Sequence, residues 1–220
     1  MSTWTATRCR VTDRARVLAT TGYHPADLDL EAARALLEEA GWEQRATLPV
    51  RVRLGSEFRI TIRTDNDPVR AAIAEEIARQ LEPLGIRANV ATTSFSVLRR
   101  DYLQERRYEA ALTGWQQGID PDPYFGWHSS QMGSAGLNIA NYSDAVADRL
   151  IEEARRQNGP AVRSDMYIQF QEIWQRNAPS AVIAYPGYVY LQRDTIDPSL
   201  PAMVSARSLR FIDIHLWRRS

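Results

Sequence analysis

The chain has no lysine. All 27 basic positions are arginine, they face 27 Asp+Glu, and the formal net charge is zero. A nucleic-acid binder usually carries a basic surplus, so no nucleic-acid partner is expected. Cys9 is the single cysteine, which excludes an intramolecular disulfide and a cysteine-based zinc site. Histidine is scarce: His24, His128 and His215 lie far apart, without metal-ligand spacing, and no metal or cofactor is expected. Neither glycine-rich phosphate motif occurs, and Gly133-Ser134-Ala135-Gly136 reads as plain loop. The G-x-S-x-G elbow is missing too. Ser129 and Ser130 directly follow His128, and no base is expected to be placed to activate either. Long apolar runs are also lacking. The longest candidate, residues 181–191, is broken by Pro186-Gly187 and falls short of the ~18 residues that suggest a membrane span. Residues 1–16 hold arginines but no apolar h-region, so they are not read as a secretory signal. Cys9 lacks the preceding apolar stretch of a lipidated cysteine and reads as a bystander.

What is present is ordinary for a globular chain: 44% apolar and 25% charged residues. Residues 1–21 show weak periodicity and read as a poorly ordered leader or a short extension. A helix follows Asp29, with Leu30, Ala33, Leu37 and Ala40 on one face and Gly41 as its stop. Residues 48–54 and 58–64 alternate in strand period around Gly55-Ser56-Glu57, which predicts a hairpin or a strand with its extension. Asp67-Pro68 opens a long helix carrying Ala72, Ile73, Ile77, Leu81 and Leu84, ended by Gly85. Residues 86–92 read as a strand, Ser94 to about Arg106 as a helix, and 108–114 as a short buried strand. This alternation argues an α/β fold with a mostly parallel or mixed sheet flanked by helices. Beyond it, helices are expected from Asp144 to Asn158-Gly159 and from Pro160 to Asn177-Ala178-Pro179. A strand pair bent at Pro186-Gly187 and a terminal strand at 211–216 complete the pattern.

Between Trp115 and Tyr142 regular periodicity disappears, and loops of that length inside compact domains are usually functional. Asp120-Pro121-Asp122-Pro123 stands there among Trp115, Tyr124 and Trp127. Paired carboxylates beside aromatic rings resemble a sugar-cleaving site. Residues two apart on a proline-stiffened loop need not converge on one bond, however, and a binding loop for a small polar ligand fits the composition better. Packing tryptophans and punctuating prolines are the purely structural alternative. Asn141-Tyr142-Ser143 is a glycosylation pattern short enough to arise by chance. The arginine pairs at 99–100, 106–107, 155–156 and 218–219 read as a solvated surface compensated by nearby acids.

Six pieces in order give a more specific reading. They are the helix 29–42 (DLEAARALLEEAGW), the helix 67–85 ending Leu-Gly-Ile, and Tyr108-Glu-Ala-Ala-Leu-Thr-Gly-Trp115. The Asp-Pro-Asp-Pro-Tyr-Phe loop follows, then Asn141-Tyr-Ser-Asp with Leu150-Ile-Glu-Glu-Ala, and last the helix ending Ala178-Pro179. Together they resemble the C-terminal lobe of family 5 extracellular solute-binding proteins, the oligopeptide- and dipeptide-binding class of ABC importers, over roughly residues 23–216. The resemblance implies a type II periplasmic-binding-protein fold, in which two lobes close on a ligand and present it to a membrane ABC permease. It implies a binding protein rather than an enzyme, in an extracytoplasmic setting. It points to Trp115, Gln116, Gln117, Gly118, Asp120 and Tyr124 as ligand-binding residues. On this reading residues 22–206 form the lobe. Residues 207–220 are a terminal strand that packs on it or belongs with a first lobe, which family members carry together with a signal sequence.

Two departures bear on the ligand. Peptide-binding members place an Asp three residues after the tryptophan, where this chain has Gly118, and some place an Arg three residues before it, where this chain has Leu112. Free peptide termini are therefore less well matched, and an oligosaccharide is as compatible with Trp115, Gln116, Gln117 and Tyr124. A ligand-sensing module of a regulator is the alternative function, followed by a carbohydrate-active enzyme. Self-association through an exposed cleft face is a further expectation.

Overall fold

The computed structural model describes residues 4–9, 29–45, 47–115, 120, 122–184, 188–193, 196–197 and 211–219. The chain divides into two compact units. One comprises Ala26–Trp115 and Pro123–Arg149; the other comprises Met1–Pro25, Gln116–Asp122 and Leu150–Ser220.

The first unit is built on a parallel sheet of order β5-β4-β6, from β4 (Arg59–Asp65), β5 (Arg87–Thr93) and β6 (Ala110–Ala111). Arg59 pairs with Arg87 and Asp65 with Thr93 along one edge of β4, while Ile62 and Arg63 pair with Ala110 and Ala111 along the other. One face carries Ile60, Ile62, Ala88, Val90, Ala110 and Leu112, and it packs against Ala74, Ile77, Ala78 and Leu81. These four lie on α2 (Pro68–Leu81), where buried alanines at 74 and 78 let the helix approach the sheet closely. Asp67 caps α2 by accepting from the Val69 and Arg70 N–H groups, both at 3.0 Å, and Pro68 takes the first turn as expected. A 3₁₀ turn, Glu82–Leu84, continues the helix to Gly85 at φ 73°. A Cβ there would meet Arg51 Cγ at 2.9 Å, so the stop needs glycine for space as well as for its backbone angle.

The predicted hairpin shrinks to β2 (Val52–Arg53) and β3 (Ser56–Glu57), turned by Leu54 and Gly55, both with positive φ. The chain then leaves this ladder. Phe58 N–H still donates to Arg51 O at 2.8 Å, but Phe58 O accepts from Arg87 N–H, and β4 enters the parallel sheet. Arg51 is almost wholly buried and ties the region together. It donates to Leu84 O (2.9 Å) and Trp42 O (2.7 Å) and stands 3.5 Å from Glu38 of α1 (Leu30–Glu39).

The helix expected from Ser94 is α-helical only at α3 (Phe95–Val97). It widens into a π-helix at Leu98–Leu103, whose ends bury Leu98 and Leu103. The strand expected at 108–114 is a two-residue β6. Glu109 carboxylate takes the Thr61 N–H at 2.7 Å, a main-chain donor that a longer ladder would use.

Past the loop region, α5 (Ala145–Arg156) starts at Asp144, which accepts from Val146 and Ala147 N–H, and it buries Ala147, Ile151 and Ala154. Helix α6 (Pro160–Asn177) buries Tyr167, Phe170 and Trp174 and stops at Ala178 with φ 46°.

In the second unit β1 (Trp4–Cys9) pairs antiparallel with β7 (Tyr188–Arg193), so part of the stretch expected to be a poorly ordered leader is a strand. Alternating Thr and a tryptophan suit a strand, but the partner lies far along the chain and left no local trace. The bend at Pro186-Gly187 lies outside the described residues, and 181–184 has no regular structure, so a strand pair is not formed there. β8 (Ile196–Asp197) pairs with β9 (Arg218–Arg219). The strand expected at 211–216 is instead turn and a 3₁₀ helix, Ile214–Leu216. Phe211, Ile212, Ile214 and Leu216 are all exposed there, so no sheet surface rewards the alternation. Among the described residues no helix is long and apolar enough to cross a membrane.

Candidate ligand-facing wall

Open parallel sheets place ligands beyond the carboxyl ends of their strands. Here that end is formed by Thr64-Asp65 of β4 and by Leu112 to Trp115 after β6. Leu112 N–H donates to Arg63 O at 2.8 Å, and Thr64 Oγ1 donates to Leu112 O at 3.0 Å, which fixes the exit path of the chain. Asp65 is buried, and Arg70 of α2 clamps it from both prongs: Nε to Oδ1 at 2.7 Å and Nη2 to Oδ2 at 2.8 Å. This charge-assisted pair holds the Asp65 carboxyl below its usual range and raises the Arg70 pKa. The sequence analysis marks Asp67-Pro68 as the helix opening and singles out neither Asp65 nor Arg70. A signal was present, because an acid at a strand end and an arginine five residues on reach each other across a helix start.

Trp115 is 52% exposed. Its ring rests on Gly126, where a Cβ would come within 3.0 Å of Cζ2. Gly126 lies in the one-turn helix α4 (Tyr124–Trp127). Tyr124 stacks on His128 at 4.4 Å between centroids, and its hydroxyl is 3.0 Å from Ser130 Oγ.

The irregular region beyond is built rather than loose. Asn138, fully buried, donates to His128 O (3.1 Å) and Tyr142 O (2.8 Å) and accepts from Tyr142 N–H (3.0 Å). Arg106 Nη2 donates to Asn138 O at 3.0 Å, with Gly136 O and Gln131 O a little farther, and the Tyr108 hydroxyl donates to Ile139 O. Burial pushes the Tyr108 phenol pKa up. The flexible loop expected at Gly133-Ser134-Ala135-Gly136 thus ends in a close approach: a Cβ on Gly136 would lie 2.0 Å from Gln131 O.

One expectation needs correcting. His128 Nδ1 lies 2.8 Å from Ser130 Oγ, so a base is within reach of a serine. The same nitrogen accepts the Ser130 N–H at 3.1 Å and caps the 3₁₀ turn Ser129–Gln131, and Nε2 is 3.9 Å from Asp148, too far for a hydrogen bond. Asp148 instead accepts from Ser129 N–H and Oγ. The cluster is a turn-fixing network. Sequence could not show it, because Asp148 joins from another helix.

In the second unit Asp120 accepts from Arg163 Nη2, and Arg163 also donates to the Tyr167 hydroxyl at 2.9 and 3.1 Å. Arg163 is raised in pKa by Asp120, and Tyr167 is raised chiefly by burial. Asp122 pairs with Arg155 at 3.0 Å. Both carboxylates of the Asp-Pro-Asp-Pro run therefore hold guanidinium groups, which is not how a proton-donating acid is kept. Gln116, Gln117 and Gly118 lie outside the described residues. Among the described residues no group of His, Cys, Asp and Glu is placed to hold a metal ion. An open depression of about 350 Å³ lies elsewhere in the first unit, lined by Glu39, Glu43, Arg45, Arg53 and Leu54 among others. None of the residues singled out from the sequence as ligand-binding lines it.

Residues 17–136 match the model of the bacterial extracellular solute-binding proteins, family 5 Middle. The di/tripeptide-binding protein 4 of Pseudomonas aeruginosa is 31% identical over 172 residues, which cover 76% of this chain and 30% of that protein. The oligopeptide-binding protein AppA of Bacillus subtilis is 28% identical over 172 residues, covering 74% of this chain and 32% of AppA. The structure of AppA from Bacillus subtilis in complex with a nonapeptide superposes with TM-score 0.70 at 22% identity, over 96% of this chain and 46% of that one, a likeness of fold. The chain spans about a third of the length of these curated relatives.

Proposed function

The chain belongs to the bacterial extracellular solute-binding proteins of family 5, and on that premise we propose that it supplies one ligand-facing wall of the substrate-binding component of an ABC-type importer. The ligand is a peptide or a similar small polar solute, and the complete receptor delivers it to a membrane permease from the extracytoplasmic side. The carrying observation is Trp115: a large ring, half exposed at the carboxyl end of a parallel sheet and seated on Gly126. A large ring with an apolar face and a polar N–H is suited to be covered by a small polar ligand. The family supplies the class of ligand, since the named relatives bind oligopeptides and di- or tripeptides.

On this reading residues 22–206 act as the C-terminal lobe and the terminal segment 207–220 belongs with it, a reading supported by the pairing of Arg218–Arg219 with Ile196–Asp197. Trp115 and Tyr124 line the ligand side of this wall, and Gln116, Gln117 and Gly118 enter the proposal from the family resemblance alone. Asp120 joins them only if a ligand competes with Arg163 for its carboxylate. One wall leaves much of a ligand in water. Calorimetry on this 220-residue chain should therefore give millimolar or weaker affinity for di- and tripeptides and for oligosaccharides. Micromolar binding by the chain alone would contradict the reading. Partial self-association through the Trp115 face should appear in sedimentation at high concentration, and a strictly monomeric profile would count against it. A ligand-sensing role in a regulator would reveal itself by a neighbouring gene for a DNA-binding partner in place of permease and ATPase genes. Turnover of chromogenic sugars would be needed to revive a carbohydrate-active enzyme.

A further inference from the structure

We propose that Arg70 sets the ligand chemistry of this wall, donating from Nη1 to a neutral acceptor oxygen, such as an amide carbonyl, laid beside Gly114 and Trp115. The inference rests on the receptor reading above and deepens it. Arg70 uses Nε and Nη2 on Asp65, and among the described residues its Nη1 has no hydrogen-bond partner. A guanidinium held side-on by one carboxylate still presents its outer edge, with two N–H bonds on Nη1 alone. That edge faces the chain leading to Trp115, since a Cβ on Gly114 would stand 3.9 Å from Nη1. Glycine at 114 puts no side chain between the main chain and the guanidinium. Asp65, with its side chain only 5% exposed, cannot swing away and keeps the fork aimed.

Charge decides what the fork accepts. Asp65 neutralises Arg70 at contact distance, and Asp67 lies 3.6 Å from Nη2, so the three formal charges add to minus one. The positive start of α2 offsets about half of that. No net positive field is left to hold a carboxylate. Nor does the strand supply one, because Leu112 packs into the core with Ile62, Ala74 and Ala78. A neutral acceptor takes a hydrogen bond from Nη1 without meeting repulsion from the two aspartates. Amide carbonyls of a peptide interior and hydroxyls of a sugar share that chemistry.

The test is a titration of the ¹⁵N-labelled chain, following the Trp115 indole N–H, with trialanine, with N-acetyl-trialanine amide and with maltotriose. The capped peptide should shift that resonance as strongly as the free one. Arg70→Lys keeps a cation on Asp65 but removes the fork. It should weaken the capped peptide about three- to tenfold, the worth of one or two hydrogen bonds, with a well-dispersed spectrum. The neutral double variant D65N/R70Q should weaken it alike, which guards against a folding defect from an unpaired Asp65. If maltotriose shifts the indole and loses affinity in the same variants, the acceptor is a sugar hydroxyl and the inference stands. A shift requiring the free carboxylate, or one indifferent to Arg70→Lys and to the double variant, would overturn it while leaving the receptor reading intact. Silence at Trp115 with every probe, taken to concentrations well above the expected millimolar range, would overturn both.

Discussion

The pattern Asp-x-Asp-Pro occurs twice, at 65–68 and at 120–123, and the two copies have different fates. In the first, Asp65 is buried and clamped by Arg70 five residues on, Asp67 caps α2, and Pro68 opens it. In the second, Asp120 is largely exposed and pairs with Arg163, Asp122 pairs with Arg155, and the helix that follows has four residues. The first copy is read locally: cap, proline and counter-ion lie within one helical turn and a strand end. The second takes its partners from α5 and α6, so its meaning is set by tertiary placement. A motif shared in letters is not shared in energetics, because burial fixes what an ion pair is worth.

Breaking the first copy should cost most. Asp65→Ala strands a partly buried guanidinium and frees the Asp67 N–H, and it should destabilise the chain by about 3 kcal/mol in urea unfolding. Asn138→Ala comes next. It removes three buried hydrogen bonds to the main chain of His128 and Tyr142, and a loss of about 2–3 kcal/mol is expected, with early exchange of the amides in residues 128–142.

Acid should weaken the first copy. The folded pKa of Asp65 lies below its ordinary 3.8. Its contribution is therefore fully present above that value and is lost as pH falls through the lower folded pKa. Asp65→Asn should flatten the acid limb of a stability-against-pH curve below about pH 4. Gly126→Ala pushes a methyl to 3.0 Å from the Trp115 ring. It should cost about 1 kcal/mol and shift tryptophan emission as the ring moves. The smallest effect belongs to Asp120→Ala, at most about 1 kcal/mol, because an exposed ion pair is screened by water. If Asp120→Ala proved as damaging as Asp65→Ala, the contrast between the copies would fail.

Much of the first unit was legible because its signals are local. The Asp67-Pro68 opening, the Gly85 stop, the Asp29 and Asp144 caps and the apolar faces of β4 and β5 all act within a few residues. What escaped depended on partners remote in sequence. β1 needs β7, Arg106 gathers carbonyls from 131 to 138, and Asp148 reaches Ser129. The 211–216 stretch was misread for the converse reason, since its alternation has no surface to lie on. In the candidate wall, Trp115 and Tyr124 stood out as aromatics in an aperiodic span. Arg70 did not, because its role follows from Asp65 being buried beneath it.

Periodicity, caps and motif order are short-range properties of the letters, and an α/β chain, its helix starts and its kinship to a solute-binding family follow from them. Folding settled which acids are structural, that residues 128–142 form a hydrogen-bonded scaffold, and which edge of Arg70 faces Gly114. Those outcomes depend on burial and on distances between residues far apart along the chain, and the dielectric and geometry that set them exist only once the chain is folded.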